Sequence, residues 1–291
     1  MQTLKIGRQS FTWGSRTYVM GILNITPDSF SGDGLLAADG WLEASMKQAR
    51  RYVAAGVDIL DIGGESTRPG SQPVEAEQEK ERVIPVIDKI KVEFPDTLIS
   101  IDTYKASVAD KALQAGAQIV NDVWGLRADP ELAQVVARYQ SVVILMHNRS
   151  KPVHAQAQAN LGGRYIGMEY DNLLKDVGNE LMGSVDLAVQ AGIPTGHIIL
   201  DPGIGFGKTV EQNLELLNRL DEIRQLGYPV LLGPSRKSFI GYTLDLPPYQ
   251  RIEGTAAAIA VGIVRGADIV RVHDVEFMLR VARMTDAIVR K

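Results

Sequence analysis

The chain of 291 residues contains no cysteine. This absence excludes disulfide bonds, metal sites built on thiolates and a cysteine nucleophile. A large excess of one charge is also absent, because the formal net charge at pH 7 is only −4. Such a charge does not favour nucleic acid or an anionic membrane surface as a partner. Any anion would therefore have to be bound by a local cluster of cations.

Long hydrophobic runs are missing as well. The longest stretch of low charge, residues 254–264, is too short to span a bilayer. The N-terminal stretch MQTLKIGRQSFTWG lacks the basic segment and apolar core of a secretory signal. Hydrophobic residues make up 45% of the chain and charged residues 23%, which is typical of soluble globular proteins. We therefore expect a cytoplasmic protein without a membrane or nucleic-acid partner.

Short apolar runs rich in β-branched residues alternate along the chain with segments of helical periodicity. The predicted strands are Tyr18–Leu23, Ile59–Ile62, Leu98–Ile101, Ile119–Val120, Val142–Met146, Ile198–Leu200, Val230–Leu232 and Ile269–Val272. The predicted helices are Trp41–Ala55, Ala76–Phe94, Lys105–Ala115, Glu131–Tyr139, Asp171–Ala191, Val210–Leu226, Thr255–Arg265 and Val275–Val289. Repetition of strand and helix predicts a parallel sheet.

Eight such units in one chain favour a closed (β/α)8 TIM barrel, with an open doubly wound sheet as the alternative. We predict that residues 1–291 form a single domain. Residues Leu4–Trp13 are predicted to form a short N-terminal β-hairpin that caps the bottom of the barrel. The polar stretch 148–170 shows no clear periodicity and is interpreted as an excursion after the fifth strand.

Polar side chains follow nearly every predicted strand. The stretch DILDIGGESTRPGSQ, residues 58–72, runs from an apolar strand into a carboxylate, two hydroxyls and Arg68. A turn requires the glycines and tolerates the proline, but it does not require the arginine. In a (β/α)8 barrel all strands open at their carboxyl ends onto one face, where active sites lie. The polar residues after the strands are therefore expected to converge.

Two kinds of chemistry are present among these residues. Arg68, Lys237, Arg271 and His273 supply donors suited to a phosphate or pyrophosphate. The carboxylates of Asp102 and Asp201 and the amide of Asn121 suit a planar heterocycle with N–H donors and a carbonyl acceptor. Each residue alone has an ordinary explanation, such as Asp102 acting as a helix cap. Their common position at strand ends is what favours a binding site.

The segment DPGIGFGKT, residues 201–209, looks like a phosphate-binding loop but meets neither nucleotide motif. Pro202 occupies the position of the first glycine of a P-loop. We interpret the glycines as allowing the backbone to approach a flat ligand, with Phe206 near it. Thr209 is predicted to cap the following helix.

In order and in placement after the strands, several segments resemble the dihydropteroate synthase family. These segments are MGILNITPDSFSGDG, DIGGESTRPGS, SIDTYK, IVNDVWG, LDPGIGFGK, GPSRKSFIG and RVHDV. The resemblance implies a (β/α)8 barrel, usually a homodimer and a target of sulfonamides. It also implies an Mg2+-assisted reaction of folate biosynthesis, in which 6-hydroxymethyl-7,8-dihydropterin pyrophosphate condenses with p-aminobenzoate to give 7,8-dihydropteroate and pyrophosphate.

The resemblance also implies a role for individual residues. Asp102, Asn121, Asp201 and Lys237 would bind the pterin, and Asn24 would ligate Mg2+. Thr67, Arg68, Arg271 and His273 would bind the pyrophosphate, while Pro69 and Ser238 would border p-aminobenzoate. The expected catalytic residues are Asp102, Lys237, Arg68, Arg271 and His273.

The first loop departs from the usual family pattern, because Ser31-Gly32-Asp33-Gly34 stands where SDGG is common. Two alternatives share the pterin pocket. A pterin-binding methyltransferase would have no use for the TPDSF and SRK loops, so these loops argue against it. A non-catalytic pterin-binding protein would retain the pocket without turnover, and only the shifted Asp33 points to it.

Overall fold

The computed structural model describes residues 3–25, 40–66, 72–158, 160–166 and 168–290. Within these ranges, parallel strands form an eight-stranded sheet. The strands are β3 (Tyr18–Asn24), β4 (Ile59–Gly63), β5 (Leu98–Asp102), β6 (Ile119–Asp122), β7 (Val142–Met146), β10 (Ile198–Asp201), β11 (Leu231–Leu232) and β12 (Ile269–Val272). Four further short strands form two small antiparallel hairpins.

Strand neighbours in the sheet follow the chain order, and β12 pairs with β3. Between β10 and β11 a single parallel bridge joins Leu200 to Val230, and the Leu200 amide donates to the Pro229 carbonyl at 2.9 Å. These contacts close the sheet around one axis. The predicted (β/α)8 barrel is therefore confirmed, and the open doubly wound alternative is wrong.

Helices cover the outside of the barrel. They are α1 (Gly40–Ala55), α2 (Ala76–Glu93), α3 (Ala106–Gln114), α4 (Leu132–Tyr139), α5 (Leu173–Gln190), α6 (Val210–Asn218), α7 (Leu220–Arg224), α8 (Ser238–Leu244), α9 (Ile252–Val264) and α10 (Val275–Val289). The predicted helix 210–226 is split into α6 and α7 at Arg219, where the backbone leaves the helical region with φ −113° and ψ 27°. Helix α8 was not predicted, because seven residues are too few to show a period.

The N-terminal hairpin consists of β1 (Thr3–Ile6) and β2 (Gln9–Thr12). Its buried side chains, with Phe11 against Tyr18 at 4.4 Å between ring centroids, belong to one apolar cluster with the first inward residues of the barrel strands. The hairpin thus closes the amino-terminal end of the barrel, as predicted. Burial of these aromatic rings fills the amino-terminal end of the barrel.

The stretch 148–170 contains a second hairpin that the sequence did not predict. Strand β8 (Ala155–Gln158) pairs antiparallel with β9 (Gly162–Tyr165). The sequence AQAQ of β8 is largely exposed, so it lacks the apolar alternation by which a strand is recognised. The hairpin contacts α8, where the Tyr242 hydroxyl donates to the Gly162 carbonyl at 3.1 Å.

Candidate active site

The interior of the barrel is arranged in two layers. Side chains two residues apart on a strand point to the same side, so each strand contributes to both layers. The lower layer is apolar and includes Ile59, Leu98, Ile119, Ile199, Leu231 and Ile269. Two residues further along, five of these six strands carry Asp61, Ser100, Asn121, Asp201 and Arg271, and Gly233 follows Leu231. The upper layer is therefore polar and lies at the open end, where Asp102 follows Ser100.

Arg271 connects two buried carboxylates across the barrel. Its Nε donates to Asp61 Oδ2 at 2.6 Å, and one Nη donates to Asp102 Oδ2 at 2.6 Å. Burial opposes the charge of the guanidinium, but the two carboxylates outweigh it and raise the pKa of Arg271. The arginine is therefore a permanent cation at the centre of the site, with its second Nη not engaged by Asp61 or Asp102.

Asp102 does not cap a helix. Helix α3 begins after Lys105, which makes no side-chain cap, and the carboxylate of Asp102 pairs with Arg271 instead. Burial raises the pKa of Asp102, and the positive charge of Arg271 only partly offsets this effect. A buried carboxylate next to one fixed cation can stabilise a second positive charge that develops on a ligand.

Asn121 and Asp122 have different partners at the end of β6. The Asn121 amide donates to Asp61 Oδ2 at 3.1 Å, which leaves its carbonyl oxygen for other donors. The Asp122 carboxylate accepts from the Trp124 and Leu126 amides at 2.8 and 2.5 Å. Asp122 thus stabilises the backbone of the following loop. Asn121 does not, and its side chain faces the site instead.

Asp201 and Lys237 lie on the opposite side of the barrel from Asp61. Asp201 Oδ1 accepts from the Gly203 amide at 2.7 Å, and burial raises the pKa of this carboxylate, opposed by Lys237. Burial lowers the pKa of Lys237 to about 8, opposed by Asp201. Lys237 Nζ lies 4.5 Å from the centroid of the Phe206 ring and donates to the Ile204 carbonyl. A flat ligand bound here would contact the Asp201 carboxylate, the Lys237 ammonium group and the Phe206 ring.

The end of β12 contributes His273, and the loop after β11 contributes Ser235 and Ser238. The Ser235 hydroxyl lies 3.1 Å from His273 Nδ1 and accepts from the His273 amide at 3.2 Å. Ser238 is the first residue of α8 and follows Lys237 directly. The structure therefore brings the SRKS loop and the RVHD segment together.

The predicted residues Thr67, Arg68 and Pro69 lie outside the described residues, as do the TPDSF segment and Asp33. The residues on either side of 67–71 are joined by Glu65. Its carboxylate accepts from the Val74 amide at 3.1 Å, the Tyr104 hydroxyl at 3.1 Å and Lys105 Nζ at 2.5 Å. The glutamate of GGESTRPGS is thus a structural residue.

Asn24 was predicted to ligate Mg2+. It ends β3 opposite Gly63, which in turn lies opposite Asp102 on β5. Within the described ranges, no three His, Cys, Asp or Glu side chains form a metal cluster. A single amide oxygen at the mouth of the barrel fits an Mg2+ that keeps several waters and is bound mainly through substrate phosphates. The residues present therefore fit a metal that arrives with the substrate.

Two buried residues of the site were missed from the sequence. Asp61 is fully buried, and its Oδ1 has no hydrogen-bond partner among the described residues. The sequence feature that could have identified Asp61 is an acidic residue at an inward-facing position of the apolar run ILDIG. Lys208, which is only 1% exposed, lies below the Phe206 loop. The sequence feature that could have identified Lys208 is its place in the glycine-rich segment DPGIGFGK, which matches no nucleotide-binding motif.

Comparison with known proteins tests the resemblance seen in the sequence. The family model described as pterin binding enzyme matches residues 20–273. The dihydropteroate synthase of Clostridium beijerinckii is 49% identical over 289 residues, which are 99% of this chain and 100% of that protein. This chain belongs to the dihydropteroate synthase family.

Solved structures of family members have the same fold. A dihydropteroate synthase from Clostridium difficile, crystallised in the presence of pteroic acid, is 49% identical with a TM-score of 0.87, over 97% of this chain and 100% of that chain. The Xanthomonas albilineans dihydropteroate synthase with 4-aminobenzoic acid is 37% identical with a TM-score of 0.87, over 98% and 97% of the two chains. The chain is accordingly a pterin-binding transferase. Family membership contradicts the methyltransferase alternative.

Proposed function

We propose that the enzyme condenses 6-hydroxymethyl-7,8-dihydropterin pyrophosphate with p-aminobenzoate to form 7,8-dihydropteroate and pyrophosphate. The observation that carries this proposal is the polar upper layer of the barrel, in which two carboxylates and an amide face two partly buried cations, Lys237 and Arg271. Dihydropteroate synthases of similar sequence and fold, one of them with 4-aminobenzoic acid, support the choice of substrates.

The pterin would lie between Asp102 and Asp201. Carboxylates accept hydrogen bonds from the ring N–H and amino groups, and the Asn121 amide and Lys237 supply donors and an acceptor for the rest of its edge. Phe206 and the stem of Lys237 would border its face. Because Asp102 and Asp201 are buried, only a ligand that satisfies both acids binds without loss of hydrogen bonds.

The pyrophosphate would lie above Arg271, at the open end of the barrel. The guanidinium has five N–H donors, and Asp61 and Asp102 engage only its Nε and one Nη. The other Nη, together with His273, can bind phosphate oxygens, and Thr67 and Arg68 are proposed to complete this site. Mg2+ bound by Asn24 and the pyrophosphate would supply charge neutralisation for the leaving group.

The reaction then proceeds by positioning and electrostatic stabilisation. The bond between the pterin methylene and the pyrophosphate oxygen breaks, and the electron pair leaves with pyrophosphate beside Arg271. Positive charge develops on the methylene next to Asp102. The amine nitrogen of p-aminobenzoate, which Ser238 and Pro69 are proposed to border, attacks this carbon and releases a proton to water. An aniline is nucleophilic at neutral pH, so the site needs no strong base.

Pyrophosphate release by the purified enzyme tests this proposal. With dihydropterin pyrophosphate and Mg2+, we expect release that depends on p-aminobenzoate and equals the dihydropteroate formed. Lys237→Ala should lower kcat/KM by about 10²–10³-fold, because it removes a charged donor from the pterin. Lys89→Ala, at an exposed lysine of α2, is the matched control and should leave kcat/KM unchanged.

Pterin binding without any dihydropteroate would favour the non-catalytic alternative, in which the shifted Asp33 of the first loop has abolished turnover. Full activity of Lys237→Ala would instead contradict the placement of the pterin. The first outcome would contradict the proposed reaction, and the second would contradict only the proposed pterin site.

We also propose that the enzyme is a homodimer that works in the cytoplasm as a single domain. Within the described residues, no helix is long and apolar enough to cross a membrane. Helices α9 and α10 pack side by side. Their outer faces expose Val264 by 59%, Met284 by 64% and Ile288 by 63%. Such a run of exposed apolar side chains is typical of a protein interface, and a second copy would bury it.

Introducing a charge into this face should separate the protomers. We expect Ile288→Glu to convert a dimer into a monomer in sedimentation velocity experiments, because burying an unpaired carboxylate is unfavourable. Val92→Glu places the same charge on α2 at a residue that is 85% exposed, and it should leave the dimer intact. A monomeric wild-type enzyme would contradict the proposed interface.

A further inference from the structure

Lys208 has no role in the proposed reaction, yet it is among the most deeply buried side chains of the enzyme. It ends the segment DPGIGFGK, whose glycines and lysine do not form a phosphate loop. Its ammonium group donates to the Gly203 carbonyl at 3.0 Å and the Phe206 carbonyl at 3.0 Å. The third partner of the ammonium is His147 Nδ1, at 2.9 Å. The lysine therefore contacts both ends of the turn 203–206 from below.

His147 must be neutral to accept this hydrogen bond. With Nδ1 as the acceptor, the proton lies on Nε2, which is 3.1 Å from Glu180 Oε2. Burial and the adjacent Lys208 lower the pKa of His147 to about 4, which is consistent with this arrangement. Glu180 is itself paired with Arg149, at 2.6 Å between Nε and Oε1. Lys208 and Glu180 of α5 thus flank the His147 ring, whose Nε2 makes no hydrogen bond of standard geometry among the described residues.

The turn above Lys208 carries the residues proposed to bind the pterin. Its first amide, that of Gly203, donates to Asp201 Oδ1, and the Ile204 carbonyl accepts from Lys237. The backbone is tightly confined, because a Cβ at Gly203 would lie 1.8 Å from the His147 carbonyl oxygen. Phe206, at the end of the turn, lies under the Lys237 ammonium. A displacement of the turn would therefore move the pterin ligands on that side of the barrel.

Loss of the ammonium group would leave the turn without its support. The Gly203 and Phe206 carbonyls would lose a hydrogen-bond donor inside a buried site, where unsatisfied acceptors are costly. Asn213 would remain as a second contact, since its Oδ1 accepts from the Gly205 amide at 2.5 Å. The turn would stay folded but would no longer be fixed at both ends.

We propose that Lys208 is a positioning residue for pterin binding, which fixes the turn 203–206 through its carbonyls and thereby sets the geometry of Asp201, Phe206 and Lys237. His147 contributes to this positioning, because its neutral ring accepts a hydrogen bond from the Lys208 ammonium group and orients it. This proposal rests on the pterin site described above. Neither Lys208 nor His147 is expected to touch the substrate.

The test compares the affinity for a pterin ligand among variants that are all folded under the conditions of measurement. Pteroic acid is titrated calorimetrically into the wild-type enzyme, Lys208→Met and Val177→Ala, each at a temperature where thermal unfolding shows it to be folded. Val177→Ala removes a buried side chain of α5 outside the 203–208 segment and controls for loss of stability. We expect Lys208→Met to weaken binding by about 10- to 100-fold, as a displaced binding group would, and Val177→Ala to change it by less than about 2-fold.

A second pair of variants keeps the proposal testable if Lys208→Met does not fold. His147→Asn places an amide oxygen near the position of Nδ1, whereas His147→Leu removes the acceptor. We expect the asparagine variant to bind pteroic acid more tightly than the leucine variant by about 10-fold. Equal affinities in this pair, or wild-type affinity in Lys208→Met, would overturn the proposal. Failure of the wild-type enzyme to bind pteroic acid would contradict the pterin site itself and is distinguishable from both results.

Discussion

Arg271→Met is expected to lower kcat/KM by about 10²–10³-fold, because the variant loses the donor that faces the leaving pyrophosphate. It should also lower the free energy of unfolding by about 3–5 kcal/mol, since Asp61 and Asp102 lose their shared cation inside the barrel. Steady-state kinetics and urea unfolding measure the two effects separately. Arg8→Met, at an exposed arginine of the opposite barrel end, should change neither quantity.

A second substitution distinguishes the two roles of Arg271. In Asp61→Asn/Arg271→Met the fully buried carboxylate is replaced by a neutral amide, so part of the lost stability should return. Activity should not return, because the donor to pyrophosphate is still missing. Recovery of activity together with stability would mean that Arg271 acts only as a structural counter-ion.

Asp102→Asn is expected to reduce kcat by about 10²–10³-fold with a smaller change in KM. The amide retains the shape of the carboxylate and can still pair with the pterin edge. It cannot stabilise the positive charge that develops on the methylene carbon. The loss should therefore fall on the chemical step, which single-turnover measurements of dihydropteroate formation report directly.

The pH dependence of kcat/KM provides a further check on Asp102. Burial raises the pKa of this carboxyl, and only the ionised form stabilises a developing cation. Activity should therefore fall as the pH is lowered through the raised pKa, at a higher pH than an exposed aspartate would give. The residual activity of Asp102→Asn should lack this acid limb. If the limb persists unchanged in the variant, another group is responsible for it.

Much of the barrel was predictable, because each strand and helix has a local signal. The capping box of Thr209 and Gln212 at the start of α6 is an example, since the cap was assigned to Thr209 from the sequence alone. Helix α8 and the hairpin β8–β9 have no such signal. Their stability comes from contacts with distant residues, such as Arg251, which donates to the Arg236, Leu246 and Leu161 carbonyls at 2.9 Å each.

The candidate site was predictable as a set of strand ends, but its internal pairing was not. The residue types at 102, 121, 201, 237 and 271 indicated a heterocycle and an anion. The sequence does not show that Arg271 donates hydrogen bonds to Asp61 and Asp102, because these residues are 210 and 169 positions away from it. Likewise, only the fold shows that Lys208 lies beneath the turn and not at its surface.

A crystal structure of the enzyme with pteroic acid tests the pterin site most directly. We expect the pterin ring to lie in the upper layer of the barrel, within hydrogen-bond distance of Asp102, Asn121 and Asp201, with Lys237 beside it. A pterin bound away from these side chains would contradict the site, even if the enzyme still formed dihydropteroate.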